Sequence, residues 1–224
     1  MLGLFDSGRG GLNTVKYLID MKEADDLIYL IDRERAPYGI KTEKEIEEIT
    51  KRNIDALVGM GARKVLIACC TASTVYERLP KSYKEISVPI VKEVAKEAKK
   101  LTRLGSIAVI CTKHTAASHA FRNELSGVTV TELDTGELVD MIDRGLSDAA
   151  VTAADEARIK EIISPILEVG ADTLILGCTH FPAIKNTVGK IVGEYGIEYI
   201  VDSAKTGADT LVRVKNQTEN KERR

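Results

Sequence analysis

The stretch Leu66-Ile67-Ala68-Cys69-Cys70-Thr71-Ala72-Ser73 (LIACCTAS, residues 66–73) runs a short apolar segment into two adjacent cysteines and a cluster of small hydroxyl residues. A second junction of the same kind, LILGCTHF, occupies residues 174–181, and the two together hold three of the chain's four cysteines. A short apolar run ended by small polar residues reads as a buried strand of a parallel sheet. In open α/β sheets the ligand site lies beyond the carboxyl ends of the strands, so whatever follows such a run is a candidate for chemistry.

Working outward, strand-like runs recur at LGLF (2–5), LIYLI (27–31), KVLIA (64–68), VPIV (88–91), SIAVIC (106–111), GVTVTEL (127–133), TLILGC (173–178) and IEYIVD (197–202). Helix-like segments separate nearly all of them. In TEKEIEEITKRNIDALVGMG (42–61), Thr42 is placed to cap the helix with Glu45 three residues on, Ile46, Ile49, Leu57 and Met60 form an apolar stripe, and Gly59 or Gly61 offers a stop. AADEARIKEIISPILEVG (153–170) reads as another helix, kinked or divided at Pro165. Strand–helix alternation with short connections predicts doubly wound parallel sheets. The polar helix VKEVAKEAKKLTRLG (91–105) is expected to cross between two four-stranded halves, with a domain change near residue 92. The polar tail KNQTENKERR is expected to fray.

Composition excludes several classes of function. The 32 basic and 34 acidic side chains give a net charge of −2, which provides no basic field for nucleic acid. Runs such as LIYLI fall far short of the roughly 18 residues of a membrane span. The opening MLGLFDSGRGG lacks the pattern of a signal peptide, so a cytoplasmic protein is expected, with its cysteines as thiols in a reducing compartment.

The strand ends carry the chemistry. After the first run come Asp6, Ser7, Gly8, Arg9, Gly10 and Gly11; after the second, Asp32 and then Ala36-Pro37-Tyr38-Gly39; later ends carry Cys111-Thr112, with His114 and Thr115 following, and Cys178-Thr179-His180. The glycines do not make a phosphate loop, since no Lys-Ser/Thr follows and the G-x-G-x-x-G spacing is absent. Cys69, Cys70, Cys178 and His180 are a poor zinc set, because adjacent cysteines lack the spacing that lets two thiolates converge on one ion, and no metal is expected. His114 and His119, five apart, are expected in surface or capping roles, and Cys111 in the core.

In order and at comparable spacing, DSGRGGL, APYG, ACCTAS and LGCTHFP resemble the DSGxGGL, xPYG, ACNTA and LGCTHYP segments of the glutamate racemases. GCTH, rather than a GCTE-like segment, favours these over the related aspartate racemases. The resemblance implies two pseudo-symmetric parallel-sheet α/β domains facing across a cleft. Residues 1–92 together with 196–224 would form the first domain, completed by the C-terminal strand and helix, and residues 93–195 the second. It also implies a homodimer acting on a small amino-acid substrate, with no pyridoxal phosphate or other cofactor. Lysines are plentiful, but none of the strand-end motifs supplies an evident Schiff-base lysine with a phosphate loop.

On this resemblance Cys69 and Cys178 project from opposite walls and exchange the α-proton of glutamate, with Asp6 and His180 as assisting proton carriers. Inverting an α-carbon needs a base on one face and an acid on the other, and thiols can serve as both. Substrate contacts would come from Ser7, Pro37, Tyr38, Gly39, Thr71, Thr112, Thr115 and Thr179, with Asp32 and Asp143 as further acids. Ile31, Cys111 and Phe181 depart from the family pattern tolerably. The departure that counts is Cys70, which stands where the family places an asparagine that contacts the amino acid. Two alternatives follow: a racemase of another acidic substrate such as aspartate, or a non-catalytic amino-acid-binding relative.

Overall fold

The structure, a computed structural model, describes residues 1–222. The first half runs β1 (Leu2–Asp6), α1 (Gly11–Asp20), β2 (Leu27–Ile31), α2 (Glu43–Gly59), β3 (Lys64–Ile67), α3 (Cys70–Ser73), α4 (Lys81–Ile86), β4 (Ser87–Pro89) and α5 (Ile90–Leu101). The second runs β5 (Ser106–Cys111), α6 (Lys113–Ala117), α7 (Ala120–Glu124), β6 (Thr129–Asp134), α8 (Gly136–Asp143), α9 (Ala153–Ile163), β7 (Thr173–Gly177), α10 (Lys185–Gly193), β8 (Tyr199–Asp202) and α11 (Ser203–Glu222). All eight expected strands are present, each within two residues of its predicted ends.

They form two four-stranded parallel sheets, ordered β2-β1-β3-β4 and β6-β5-β7-β8. The two orders are the same, so β3 in one sheet is the counterpart of β7 in the other. That equivalence sets Cys69, two residues past β3, against Cys178, one residue past β7. Both of these strands are interior to their sheets, and every residue of β7 is buried, as a continuous apolar run predicts.

Local sequence accounts for the helices that frame the sheets. Thr42 caps α2 in a capping box, its hydroxyl accepting from the Glu45 backbone N–H at 3.3 Å while the Glu45 carboxylate accepts from the Thr42 backbone N–H at 2.8 Å. Pro165 divides its segment: α9 ends at Ile163 and a 3₁₀ turn covers Ser164–Ile166. One apolar cluster joins the halves, with Leu4 and Leu66 from the first sheet, Val109 and Ile175 from the second, and Ile90 and Val94 of α5 with Ala208 and Leu211 of α11 among them. Truncating a buried residue such as Ile90 to alanine costs about 2–5 kcal/mol. The loss would fall on both sheets.

The C-terminal strand does not complete the first sheet as expected. β8 pairs in parallel with β7, Tyr199 opposite Thr173 and Asp202 opposite Leu176. The reason is topological: β7–α10–β8 is a parallel crossover, and β8 supplies the fourth strand that repeats the first sheet's order. Only α11 returns to the first half, packing on α1 and α5 with Gly207 close to Leu66, Thr14 and Ile90. The tail expected to fray continues α11 as far as Glu222, and its last two residues, 223–224, lie outside the described residues.

The junction between the halves is tied at Asp172, just before β7. Its carboxylate accepts from Thr102 Oγ1 (2.6 Å), Arg103 N (2.6 Å), Leu104 N (2.7 Å) and Thr173 Oγ1 (2.9 Å). Burial works against the charge, but these four donors prevail and hold the carboxyl at about 2. Asp172 therefore contributes about 2 kcal/mol above pH 4, lost as pH falls from about 4 to about 2. Asp172→Ala should lower stability by about 2–3 kcal/mol in urea unfolding at pH 7 and remove that part of the acid limb.

Candidate active site

Three strand ends converge. β1 ends in Asp6, whose Oδ1 accepts from the Gly8 backbone N–H at 2.9 Å, tightening the turn that leads through Gly10 into α1. From the other sheet, the hydroxyl of Thr179 donates to Asp6 Oδ2 at 3.0 Å, and the Asn13 amide donates to the Thr179 carbonyl at 2.8 Å. The approach is close enough that a Cβ on Gly10 would lie 2.2 Å from Thr179 Oγ1 and 2.8 Å from His180 Nδ1. Here a glycine is required by space.

Cys69 immediately precedes α3, 5% exposed, with Ser7 Oγ at 3.4 Å from its sulfur. Burial first, then the charge of Asp6, pushes its thiol up to about 11, against hydrogen bonds from Ser7 and from the Ala72 and Ser7 backbone N–H groups. Cys178, 7% exposed, has His180 Nδ1 at 3.6 Å, and the far side of that ring has Nε2 3.5 Å from Asp143 Oδ1. Burial also raises Cys178, opposed by the His180 backbone N–H and reinforced by the charge of Cys69. Asp6, wholly buried, is raised by desolvation, with His180 and the Gly8 and Thr179 donors acting the other way.

Both cysteines line one cavity of about 370 Å³. Its walls include Ser7, Pro37, Tyr38, Gly39, Cys70, Thr71, Thr112, Thr179, Asp143 and His180, so the segments singled out in the sequence meet here. Thr71 of the first half and Thr112 and Thr115 of the second form a closed triangle of hydroxyls, with Oγ1 separations of 3.0, 3.3 and 3.0 Å. Among the described residues no cluster of three or more His, Cys, Asp or Glu side chains could hold a metal ion, and no helix is long and apolar enough to cross a membrane.

Three expected site residues are not on the cavity wall: Asp6 is wholly buried behind it, and Asp32 and Thr115 lie elsewhere. Asp32 is seated beneath the Pro37-Tyr38-Gly39 turn, accepting from Tyr38 Oη (2.6 Å), Arg35 Nη1 (2.9 Å) and Asn53 Nδ2 (3.2 Å), and it is not part of the cavity wall. Its carboxylate fixes Tyr38, which does line the cavity. Thr115 stands behind Thr112, fully buried. Cys111 is in the core with its sulfur 3.7 Å from the Leu133 carbonyl, and Cys70 both packs in the core and reaches the cavity. His114 contacts Thr74 Oγ1 at 3.2 Å, while His119 precedes α7 with a left-handed φ of 53°. Arg33 and Val139 of the wall, and Asn13 behind it, were not singled out, and Arg9 was named after the first strand without a role. Both arginines follow strand ends, the position that marked the other site residues.

The fold therefore defines an α/β protein whose cleft lies between two like sheets and is lined by two thiols from equivalent strand ends. Residues 14–211 match the Asp/Glu/Hydantoin racemase family. The chain belongs to that family and is an amino-acid racemase. It is 32% identical over 216 residues to the glutamate racemase of Acidothermus cellulolyticus, covering 95% of this chain and 81% of that one. It is 33% identical over 231 residues to that of Fusobacterium nucleatum, covering 99% and 85%. A solved glutamate racemase isoform from Bacillus anthracis superposes with a TM-score of 0.86 at 26% identity, over 97% of this chain and 82% of that one. The Francisella tularensis glutamate racemase in complex with D-glutamate gives 0.85 at 27% identity, over 97% and 81%.

Two outcomes are expected. With its thiol near 11, Cys69 is overwhelmingly protonated at neutral pH, so its alkylation by iodoacetamide, followed by mass spectrometry, should rise about ten-fold per unit from pH 7 to 10 without levelling. Gly10→Ala should displace the Thr179–His180 turn and cut racemisation by at least about a hundred-fold. Its loss of stability should stay within the roughly 1–3 kcal/mol of an overpacked site.

Proposed function

We propose that this chain interconverts L- and D-glutamate without a cofactor, the α-proton leaving to one of Cys69 and Cys178 while the other returns a proton from the opposite face. The observation that carries the reading is the pair of thiols from equivalent strand ends of two sheets, bounding a single cavity. The relatives named glutamate racemase supply the substrate.

The reaction needs one thiolate and one thiol at a time. Burial opposes ionising either sulfur, and a charge on Cys69 further opposes ionising Cys178, so the site favours at most one negative sulfur. On the Cys178 side, His180 Nδ1 can accept the thiol proton while Asp143 steadies the imidazolium through Nε2. On the Cys69 side, Ser7 Oγ and the Ser7 and Ala72 N–H groups support the thiolate, and Asp6, raised by burial, is a proton acceptor whose neutral form removes the repulsion on Cys69. The hydroxyls of Ser7, Thr71 and Thr112 would hold the α-carboxylate as charge builds on the carbon.

A second reading, racemisation of another acidic amino acid such as aspartate, is favoured by Cys70. A side-chain amide on a charged group is worth roughly 1.5–3 kcal/mol, and a thiol is a weak replacement. Exchange of the α-proton in deuterium oxide, followed by NMR on L-glutamate, D-glutamate and L-aspartate, separates the readings. Cys69→Ala and Cys178→Ala should each reduce exchange by at least about a hundred-fold, whereas Cys111→Ala should stay within about two-fold. Equal losses from all three would sink the two-thiol mechanism. Cys70→Asn should raise kcat/KM for glutamate about ten-fold, and Cys70→Ala should change it little.

A further inference from the structure

His114 belongs to the second half, yet its ring contacts the first. It lies in the opening turn of α6, two residues beyond Thr112, and its Nε2 is 3.2 Å from the Oγ1 of Thr74, the residue that follows α3. Thr74 Oγ1 in turn donates to the Thr71 carbonyl at 2.8 Å. The turn at Tyr38–Ile40 packs on both helices. Lys41 closes that turn, its N–H donating to the Tyr38 carbonyl at 3.0 Å, and presents its own carbonyl to the His114 ring. Neither His114 nor Thr74 is on the cavity wall, whereas Tyr38, Gly39, Thr71 and Thr112, which surround them, all are. Burial holds the imidazole below its ordinary value, against the charge of Glu43 and the Lys41 carbonyl, so the ring is neutral at pH 7 and above.

The triangle of Thr71, Thr112 and Thr115 also joins α3 to α6, but substrate weakens that tie. A closed ring of three hydroxyls engages all three of their protons, and a carboxylate held by Thr71 and Thr112 draws two of them away. The contact between His114 and Thr74 lies outside the cavity, so it persists when the site is filled. We infer that His114 is a positioning residue for racemisation: through Thr74 it holds α3 against α6, and with them the hydroxyls of Thr71 and Thr112, once substrate has drawn the triangle apart. This role rests on the racemase reading and adds to it a tie between the halves that substrate does not touch. Walls fixed before binding lose less freedom when the substrate enters, so the effect falls on affinity and not on the proton transfers at the two sulfurs.

The test measures α-proton exchange in deuterium oxide by NMR on L-glutamate and L-aspartate at pH 8. The unaltered full-length chain is compared with His114→Ala, His114→Gln, Thr74→Val and the double variant His114→Ala with Thr74→Val. His114→Ala should raise KM for whichever substrate is turned over about five-fold, with kcat within about two-fold and the melting temperature within about 2 °C. His114→Gln, whose neutral amide can still reach Thr74, should recover most of the loss. The double variant should be little worse than the more damaging single one, since the two side chains act through one contact. An unchanged KM in His114→Ala overturns the inference while the racemase reading stands. So does a glutamine variant as damaged as the alanine one, or losses from His114→Ala and Thr74→Val that multiply. No exchange of either amino acid by the unaltered protein overturns both.

Discussion

The bond on which the cleft depends is the one between Asp6 and Thr179, at 3.0 Å and 173 residues apart in the chain. It joins the carboxyl end of β1 in one sheet to the turn that carries Cys178 in the other. Around it, Gly10 leaves no room for a side chain and Asn13 grips the Thr179 carbonyl, so the two turns approach as closely as backbone and hydroxyl allow. Two sheets that merely packed side by side would hold their strand ends at arm's length. Here the contact is specific, wholly buried at Asp6, and costly to break, because it would leave one oxygen of a desolvated carboxyl without its side-chain donor.

The same burial that holds the turns shapes the proton chemistry. Asp6, Cys69 and Cys178 are all removed from water, and each is pushed toward its neutral form. Backbone N–H groups at Ser7, Ala72 and His180 moderate the effect at the two sulfurs without abolishing it. A second negative charge among these groups is therefore opposed more strongly than a first, because repulsion between them adds to burial. A reaction that moves one proton across a carbon needs that condition.

The shared core ties this local arrangement to the whole chain. α5 and α11 occupy the region between the sheets, and residues from both sheets pack on them. Asp172 fastens the start of β7 to the end of α5. Relative movement of the two thiols thus requires disturbing apolar contacts and a carboxylate with four donors, which favours a cleft of steady width.

Periodicity and turn chemistry determined much of this protein. The eight strands, the capping box at Thr42 and the division at Pro165 were all legible, because apolar run length, N-cap geometry and the missing proline N–H act within a few residues. The strand-end rule placed Asp6 and Cys69 at the carboxyl edge of one half and Cys178 and His180 at that of the other, because parallel strands all deliver their carboxyl ends to the same edge, while the facing of the two edges was implied by the family resemblance alone. Pairing was not legible. Tyr199–Asp202 has nothing in its composition that chooses between two sheets; it joined β7 because the crossover through α10 closes there. Composition was equally silent on which acids reach the cavity: Asp143, at the end of a helix, lines it, whereas the strand-end acids do not, Asp6 being buried against Thr179 and Asp32 taken up by Tyr38, Asn53 and Arg35. Arg9 and Arg33 reach the cavity wall because the parallel register of β1 and β2 brings both strand ends to one edge, and which strand-end charges face the cavity depends on what packs opposite them, which only the tertiary structure decides.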